Sequence, residues 1–168
     1  MQYHNIQSRK FPDLVISGGQ SGADLGGLLA ARALEIGTGG YAPKHFKTEN
    51  GDKPELGAVF GLIEAPTDDY EARTALNIDL CDVIILICRR FESSGSRLTH
   101  KLAVDNGKPI FEVSFPTHAY VEQPELPAKI HEWLDWYEPS VIMIAGNRES
   151  VANGIQKWTQ EFVMRVFA

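Results

Sequence analysis

Residues 14–24, which read LVISGGQSGAD, limit what this chain can fold into more than any other part of the sequence. Three apolar residues that favour strands run directly into a cluster of glycines. A helical pattern follows at once, with apolar residues at Leu25, Leu29, Ala33 and Ile36. This order predicts a strand, a tight loop and a helix.

The glycine-rich loop, with Gly18, Gly19 and Gly22, favours an anion or nucleotide site. A helix N-terminus carries unpaired backbone N–H groups and a partial positive charge, and glycines let the backbone approach a phosphate. We expect Ser21 to cap the helix. The spacing G-G-x-x-G is neither the dinucleotide fingerprint nor a P-loop, and Lys44 lies too far along the chain to be the P-loop lysine. A plain strand-to-helix turn is the alternative.

Length and composition exclude several classes of protein. A chain of 168 residues fits a single domain with a proper core. Twenty-two acidic against sixteen basic residues give a net charge of -6, which argues against broad binding to nucleic acid. No apolar run is long enough to span a bilayer, and residues 1–12 lack the apolar block of a signal peptide, so we expect a cytoplasmic protein without a membrane partner.

The two cysteines bracket an apolar strand. Cys81 and Cys88 lie seven positions apart on that strand, which is too far to form a disulfide. We expect two reduced, buried thiols, with a metal or redox role as the alternative.

Strand and helix patterns alternate along the chain. Apolar runs predict buried parallel strands at residues 82–87, 109–113 and 141–145, and weaker patterns suggest strands at 40–42 and 62–64. Helices are predicted over about residues 68–80, 95–106, 124–137 and 150–167. The alternation predicts an α/β fold, a three-layer sandwich with a mostly parallel sheet. We expect one domain, residues 13–168, after a flexible N-terminal segment, residues 1–12.

Residues that follow the strands are candidates for a binding site, because ligands of open α/β sheets bind beyond the carboxyl ends of the strands. These positions are rich in glycine, hydroxyl groups and positive charge, which favours a pocket for an anionic small molecule. We expect Lys44 and Arg148 to converge on this cleft, although each alone is typical of a solvated charge. If Glu149 does not contact the ligand, we expect it to hold Arg148 or to cap the final helix.

Residues 42–61 form the one long irregular stretch of the sequence, and long loops in compact domains are often functional.

Polar residues share one face of the helix predicted at residues 68–80. They are spaced at i, i+3, i+4 and i+7: Tyr70, Arg73, Thr74 and Asn77. The apolar stripe on the other side consists of Ala72, Leu76 and Leu80. We expect the apolar stripe to face the core, and Arg73 and Asn77 to face the ligand, one pairing with a phosphate and the other reading a base or pterin edge. A solvated polar face is the alternative.

Six motifs in the same order resemble the family of molybdenum carrier proteins, which is similar to circularly permuted relatives of the YpsA-type and lysine-decarboxylase-like (LOG) Rossmann proteins. The resemblance extends from about residue 14 to residue 166 and is carried by I-S-G-G-Q-S-G-A-D, Y-A-P-K-x-x-x-T-E-N-G, Y-x-x-R-T-x-x-N-I-x-x-C-D, G-S-x-L-T, N-G-K-P and I-A-G-N-R-E-S-x-x-x-G-I.

The resemblance implies a Rossmann-like fold and a pocket for a phosphorylated or nucleotide-like ligand, which for some members is the molybdenum cofactor, a pterin that bears a phosphate. Carried over residue by residue, it marks as ligand-binding Gly18, Gly19, Gln20, Ser21, Gly22, Asp24, Lys44, Arg73, Asn77, Gly95, Ser96, Thr99, Arg148, Glu149 and Ser150. The motifs also include Pro43, Glu49, Gly51, Tyr70, Thr74 and Gly146.

The chain departs from the pattern of these relatives at two loops. Leu25 stands where family members have a basic residue, and residues 94–96 read S-G-S where the pattern is G-G-T. The related phosphoribohydrolases place a catalytic glutamate after their glycine loop, in the pattern G-G-x-G-T-x-x-E. Residues 95–101 of this chain contain no acid.

The missing acid favours a binding or carrier protein for a phosphate-bearing small molecule over an enzyme. The alternative is a nucleotide phosphoribohydrolase that cleaves an N-glycosidic bond, with Asp24 or Glu149 replacing the glutamate. A domain with a non-functional pocket is the third reading. The sequence has no His/Cys spacing typical of a metal site, and it leaves open the ligand, a nucleotide or molybdenum cofactor, and whether the chain forms a homo-oligomer.

Overall fold

Strands and helices alternate along the chain much as the apolar pattern predicts. The computed structural model describes residues 12–116 and 123–168. Its strands are β1 (Leu14–Ile16), β2 (Gly37–Gly39), β3 (Tyr41–Ala42), β4 (Lys47–Thr48), β5 (Gly51–Asp52), β6 (Ile63–Glu64), β7 (Val83–Cys88), β8 (Ile110–Ser114) and β9 (Val141–Gly146). Its α-helices are α1 (Ala23–Ala33), α2 (Glu55–Phe60), α3 (Tyr70–Leu80), α4 (Ser94–Asp105), α5 (Leu126–Tyr137) and α6 (Ile155–Phe167). A 3-10 turn spans Lys44–Phe46.

Five strands form the central sheet in the order β2-β1-β9-β7-β8, and every pairing in it is parallel. All six residues of β7 are buried, because helices cover both faces of the sheet. The last strand of the chain, β9, lies between β1 and β7 and pairs with both.

The helices lie in two layers on opposite faces of the sheet. One core combines Val15 and Ile144 of the sheet with side chains of α1, α5 and α6. The other combines Ile84 and Met143 with side chains of α3 and α4. The predicted three-layer α/β sandwich with a Rossmann-like fold is confirmed.

The connections between strands reverse direction in the middle of the sheet. The β1-to-β2 connection runs through α1 on one face, and the β7-to-β8 connection runs through α4 on the other. Such a reversal leaves a crevice beyond the carboxyl ends of the central strands, where open α/β sheets bind ligands. Here those strands are β1, β9 and β7.

The two weakly patterned strands form where the sequence predicts them, but they do not belong to the main sheet. The segments near residues 40–42 and 62–64 pair with each other as β3 and β6, outside the main sheet. The strand at this edge of the main sheet, beside β1, is β2, whose sequence Gly-Thr-Gly carries no apolar signal. Residues 42–61 are not irregular throughout, since they contain the hairpin of β4 and β5 and the helix α2.

Helix α3 turns its polar face inward, so the expectation that its apolar stripe points into the core is wrong. Arg73, Thr74 and Asn77 are buried, whereas Leu80 is 44 % exposed. The amide of Asn77 accepts the N–H of Tyr41 at 2.8 Å and donates to its carbonyl at 2.9 Å. Both polar atoms of Asn77 therefore hold β3 in place, and the expectation that Asn77 faces a ligand is not met.

Both cysteines are free and buried. Burial raises the pKa of each thiol to about 11. The thiols of Cys81 and Cys88 are therefore protonated and poorly nucleophilic at neutral pH.

Most of the N-terminal segment expected to be flexible, residues 1–11, lies outside the described residues, and Pro12 is buried. Within residues 12–116 and 123–168, no helix combines the length and the apolar character needed to cross a membrane.

Helix α1 packs so closely on α6 that Gly26 has no room for a side chain. A Cβ at Gly26 would collide with the carbonyl oxygen of Gln156, whereas a Cβ at Gly95 of α4 would meet nothing within 4 Å. We expect Gly26→Ala to lower the free energy of unfolding by about 1–3 kcal/mol, because overpacking outweighs the better helix propensity of alanine. The control Gly95→Ala should be neutral or stabilising. Urea unfolding measures both, and equal stability of the two variants would contradict the close approach.

Candidate functional site

A cavity of about 340 Å³ opens beyond the carboxyl ends of the central strands, between α3 and α4. Its walls come from the loops after β1, β7 and β9 and from the first turns of the two helices. The lining residues are Gln20, Asp24, Asp69, Tyr70, Glu71, Arg73, Thr74, Ser93, Ser94, Gly95, Ser96, Leu98, Thr99, Met143, Ala145, Gly146, Asn147, Arg148 and Val151. This is the position that the topology of the sheet predicts for a ligand.

A buried ion pair lies in the wall of this cavity. Arg73 Nη1 donates to Asp24 Oδ2 at 3.1 Å, and the two side chains are only 11 % and 7 % exposed. The pair joins α1 to α3. The guanidinium lies directly over Gly18, where a Cβ would collide with it. Gly18 is therefore explained by the close approach of Arg73.

The environment of this pair acts on the Asp24 carboxyl in two directions. Burial, the larger effect, raises the pKa of Asp24 above its usual value, while the Arg73 guanidinium and the N–H groups of Gln20 and Gly18 lower it. Arg73 Nε is also buried and has no hydrogen-bond partner among the described residues. The wall of the cavity thus holds a strongly desolvated charge pair with one unsatisfied donor.

The N–H groups of residues 19–22 in the glycine-rich loop already have acceptors within the protein. These bonds run from Gly19 to Ser17 Oγ, from Gln20 to Asp24 Oδ2, from Ser21 to Gln20 Oε1, from Gly22 to Gln156 Oε1 and, at the start of α1, from Ala23 to the Asn147 carbonyl. Because these amides are occupied, the structure does not offer the anion site expected at this loop. Among residues 18–22, only Gln20 lines the cavity.

The glycines of this loop serve close packing. A Cβ at Gly19 would press on Leu62, and one at Gly22 would collide with the Asn147 carbonyl. Gly22, and not Ser21, is the residue before α1, and no side chain caps that helix. The expectation that Ser21 caps α1 is wrong, because its hydroxyl donates to Glu49 instead.

The N-terminus of α4 opens on the cavity. Ser93 caps this helix, its Oγ accepting the N–H of Ser96 at 3.3 Å, and the first turn contains no acid. N–H groups in the first turn of a helix have no acceptor inside it. The space over Gly95 is empty, and Gly95, Ser96 and Thr99, all expected from the sequence, line the cavity.

Asn147 joins two of the loops that form the cavity and was not among the expected site residues. Its Oδ1 accepts the N–H groups of Arg89 and Arg90 at 2.8 and 2.9 Å. Its Nδ2 donates to Ser93 Oγ and Ser96 Oγ, both at 3.1 Å. The residue is 3 % exposed. Its position directly after β9 is the sequence signal that could have identified it. An uncharged amide is, however, a weaker indication of an anion site than the neighbouring Arg148.

The structure brings Arg148 to the cavity, but not Lys44. Arg148 is exposed and lines the cavity, whereas Lys44 is exposed in the 3-10 turn and is not a lining residue. The expected convergence of these two cations is wrong. Glu149 caps α6, accepting the N–H groups of Gly154 at 2.6 Å and Gln156 at 3.0 Å.

Both carboxylates that would replace the missing catalytic acid are engaged by the protein. Asp24 is paired with Arg73, and the two oxygens of Glu149 hold α6. Within the described part of the chain, no three His, Cys, Asp or Glu side chains are grouped so that they could hold a metal ion.

Replacing Arg73 with Met tests the ion pair. We expect Arg73→Met to lower the free energy of unfolding by about 3 kcal/mol at pH 7, because Asp24 is left buried without its partner. Loss of the guanidinium raises the folded-state pKa of Asp24 further. When the folded-state pKa of a carboxyl lies above its unfolded-state pKa, the contribution of that group to the free energy of unfolding is fully present at low pH. The contribution is lost as the pH rises through the folded-state pKa. The deficit relative to wild type should therefore shrink between pH 7 and pH 5.

Urea unfolding at pH 7, 6 and 5 measures this change. The exposed Arg165 of α6 provides a control, since Arg165→Met should alter stability by less than about 0.5 kcal/mol. A deficit that does not change with pH would show that Asp24 does not take up the proton.

Comparison with known proteins places this architecture in a family. The model of the circularly permutated YpsA SLOG family matches residues 15–167. A crystal structure of a "putative molybdenum carrier protein" from Syntrophus aciditrophicus SB is 31 % identical, covers 93 % of this chain and 94 % of its own, and superposes with a TM-score of 0.83. No curated protein sequence matches the chain. The chain belongs to the circularly permutated YpsA SLOG family.

Proposed function

We propose that this protein binds or carries a phosphate-bearing small molecule, nucleotide-like or molybdenum cofactor, in the cavity between α3 and α4. The observation that carries the proposal is the open N-terminus of α4, which faces the same cavity as Arg148. Helix N-termini bind anions through their free N–H groups and partial positive charge. An arginine adds a fork of donors that matches phosphate oxygens.

The cavity also has a place for the uncharged part of such a ligand. Leu98, Met143 and Val151 supply apolar surface, and Gln20 and Tyr70 supply polar groups at the wall. A volume of about 340 Å³ lies at the lower end of the range typical of small-molecule sites. This combination suits a small molecule with one anionic group and a less polar body.

The structural relative supports a small-molecule ligand in general. It is the "putative molybdenum carrier protein" from Syntrophus aciditrophicus SB. For the present chain we propose the same general role, a carrier for a small anionic molecule in the cytoplasm, with no nucleic-acid or membrane partner. Molybdate, a tetrahedral oxyanion like phosphate, is therefore a useful probe beside nucleotides.

Titration calorimetry with AMP, GMP, inorganic phosphate and molybdate tests the proposal. We expect AMP or GMP to bind, and Arg148→Ala to weaken that binding by about 10- to 100-fold, because a charge-assisted pair to the phosphate is lost. Thermal stability should change little, since Arg148 is exposed.

Two matched controls accompany this variant. Arg165→Ala removes an exposed arginine from α6, and Lys44→Ala removes a cation that does not line the cavity. Both should leave affinity unchanged. Absence of binding by all four probes, or equal affinity in Arg148→Ala, would contradict the proposal. Release of free base from AMP or GMP would favour a phosphoribohydrolase.

A further inference from the structure

Glu49 ties together three segments at the edge of the cavity. It lies between β4 and β5, and its carboxylate accepts hydrogen bonds from the Ser21 hydroxyl after β1 and from the hydroxyl and N–H of Ser150 after β9. The N–H of Glu49 donates to Gln20 Oε1 at 2.9 Å. One side chain thus holds segments that are 28 and 101 residues away in sequence.

The carboxylate is suited to this role because it stays ionised. Burial raises the pKa of Glu49, but the hydroxyl groups of Ser150 and Ser21 and the charge of Arg148 outweigh that effect, so the pKa lies below its usual value. Hydrogen bonds to an ionised acceptor are about twice as strong as those between neutral groups. Glu49 therefore holds both serines firmly at neutral pH.

The residues that Glu49 holds lie beside Arg148. Ser150 is two positions further along the chain, and the N–H of Glu149 donates to Ser21 Oγ at 3.3 Å. On the other side, Asn147 is fixed by its amide and by its carbonyl, which accepts the N–H of Ala23. Arg148 thus projects from a backbone that is held on both sides. Glu49 itself does not line the cavity, so it can reach a ligand there only through this loop.

We infer that Glu49 is a positioning residue of the ligand site, which holds the Arg148 loop so that the guanidinium meets the anionic group of the ligand. The inference rests on the proposed function and adds to it a residue outside the cavity. It predicts that Glu49 and Arg148 contribute to affinity as one unit. A residue with a merely structural role would affect affinity independently of Arg148.

A double-mutant cycle on ligand affinity tests this coupling, with AMP or GMP as the probe, whichever binds the wild-type protein more tightly. We expect Glu49→Ala to weaken binding by about tenfold in the wild-type background, and by less than about twofold in the Arg148→Ala background. Glu49→Gln keeps the length and one acceptor oxygen of the side chain but loses its charge, so it should recover part of the affinity. Asp52→Ala, which removes an exposed carboxylate from the same hairpin, should have no effect.

The outcomes separate the two proposals. If neither nucleotide binds the wild-type protein but phosphate or molybdate does, that anion serves as the probe in the same cycle. If none of the four probes binds, the proposed function fails, and the role of Glu49 fails with it. If the wild-type protein binds but Glu49→Ala causes the same loss in both backgrounds, or none, only the role of Glu49 is overturned. If Glu49→Ala does not fold, Glu49→Gln and Glu49→Asp replace it in the cycle. The Asp side chain is too short to reach both serines, so Glu49→Asp should weaken binding in the wild-type background. If Glu49 acts through Arg148, that loss of affinity must disappear in the Arg148→Ala background.

Discussion

The ion pair between Asp24 and Arg73 is the contact on which the rest of the site depends. It connects α1, on one face of the sheet, with α3, on the other, across the carboxyl ends of the central strands. Two buried charges tolerate separation poorly, so the pair restricts how α3 can rotate. With Arg73 turned inward, Asn77 one turn later reaches the backbone of Tyr41, and Leu80 is left at the surface. The inverted polarity of α3 is therefore stabilised by this ion pair together with the hydrogen bonds of Asn77 to Tyr41.

Two helix N-termini at this edge of the sheet are used in opposite ways. The N-terminus of α1 is occupied by protein groups: its first N–H donates to the Asn147 carbonyl, and the carboxylate of Asp24 lies in its first turn. The N-terminus of α4 has a serine cap, no acid and open space above Gly95. An anion gains more at an N-terminus that has open space and no acid than at one filled by protein groups, and this difference is the physical basis of the proposed ligand site.

The order of the strands makes the site depend on β9. This strand lies between β1 and β7 and pairs with both, so it joins the two halves of the sheet. The pairing of β9 also brings Asn147 and Arg148, which follow it, to the cavity. Hydrogen bonds to Ser21 and Glu49 hold the loop that contains them. Pairing of segments so distant in sequence costs loop-closure entropy, which the contacts of β9 must offset.

The sequence by itself determined the elements whose signal is local. The apolar runs predicted β7 and β9, and helical periodicity predicted α3 to α6 to within about five residues at their ends. Gln20, Asp24, Arg73, Gly95, Ser96, Thr99 and Arg148 were expected in the site and do line the cavity, although their contact with a ligand is still a prediction. Only the tertiary structure decided which face of α3 is buried, that Gly-Thr-Gly forms β2, and that α4 presents the open N-terminus. The physical reason is that a sequence does not show whether a polar side chain or a glycine contacts solvent, a ligand or another part of the protein. Only the groups that surround it in the folded chain determine which of these contacts it makes.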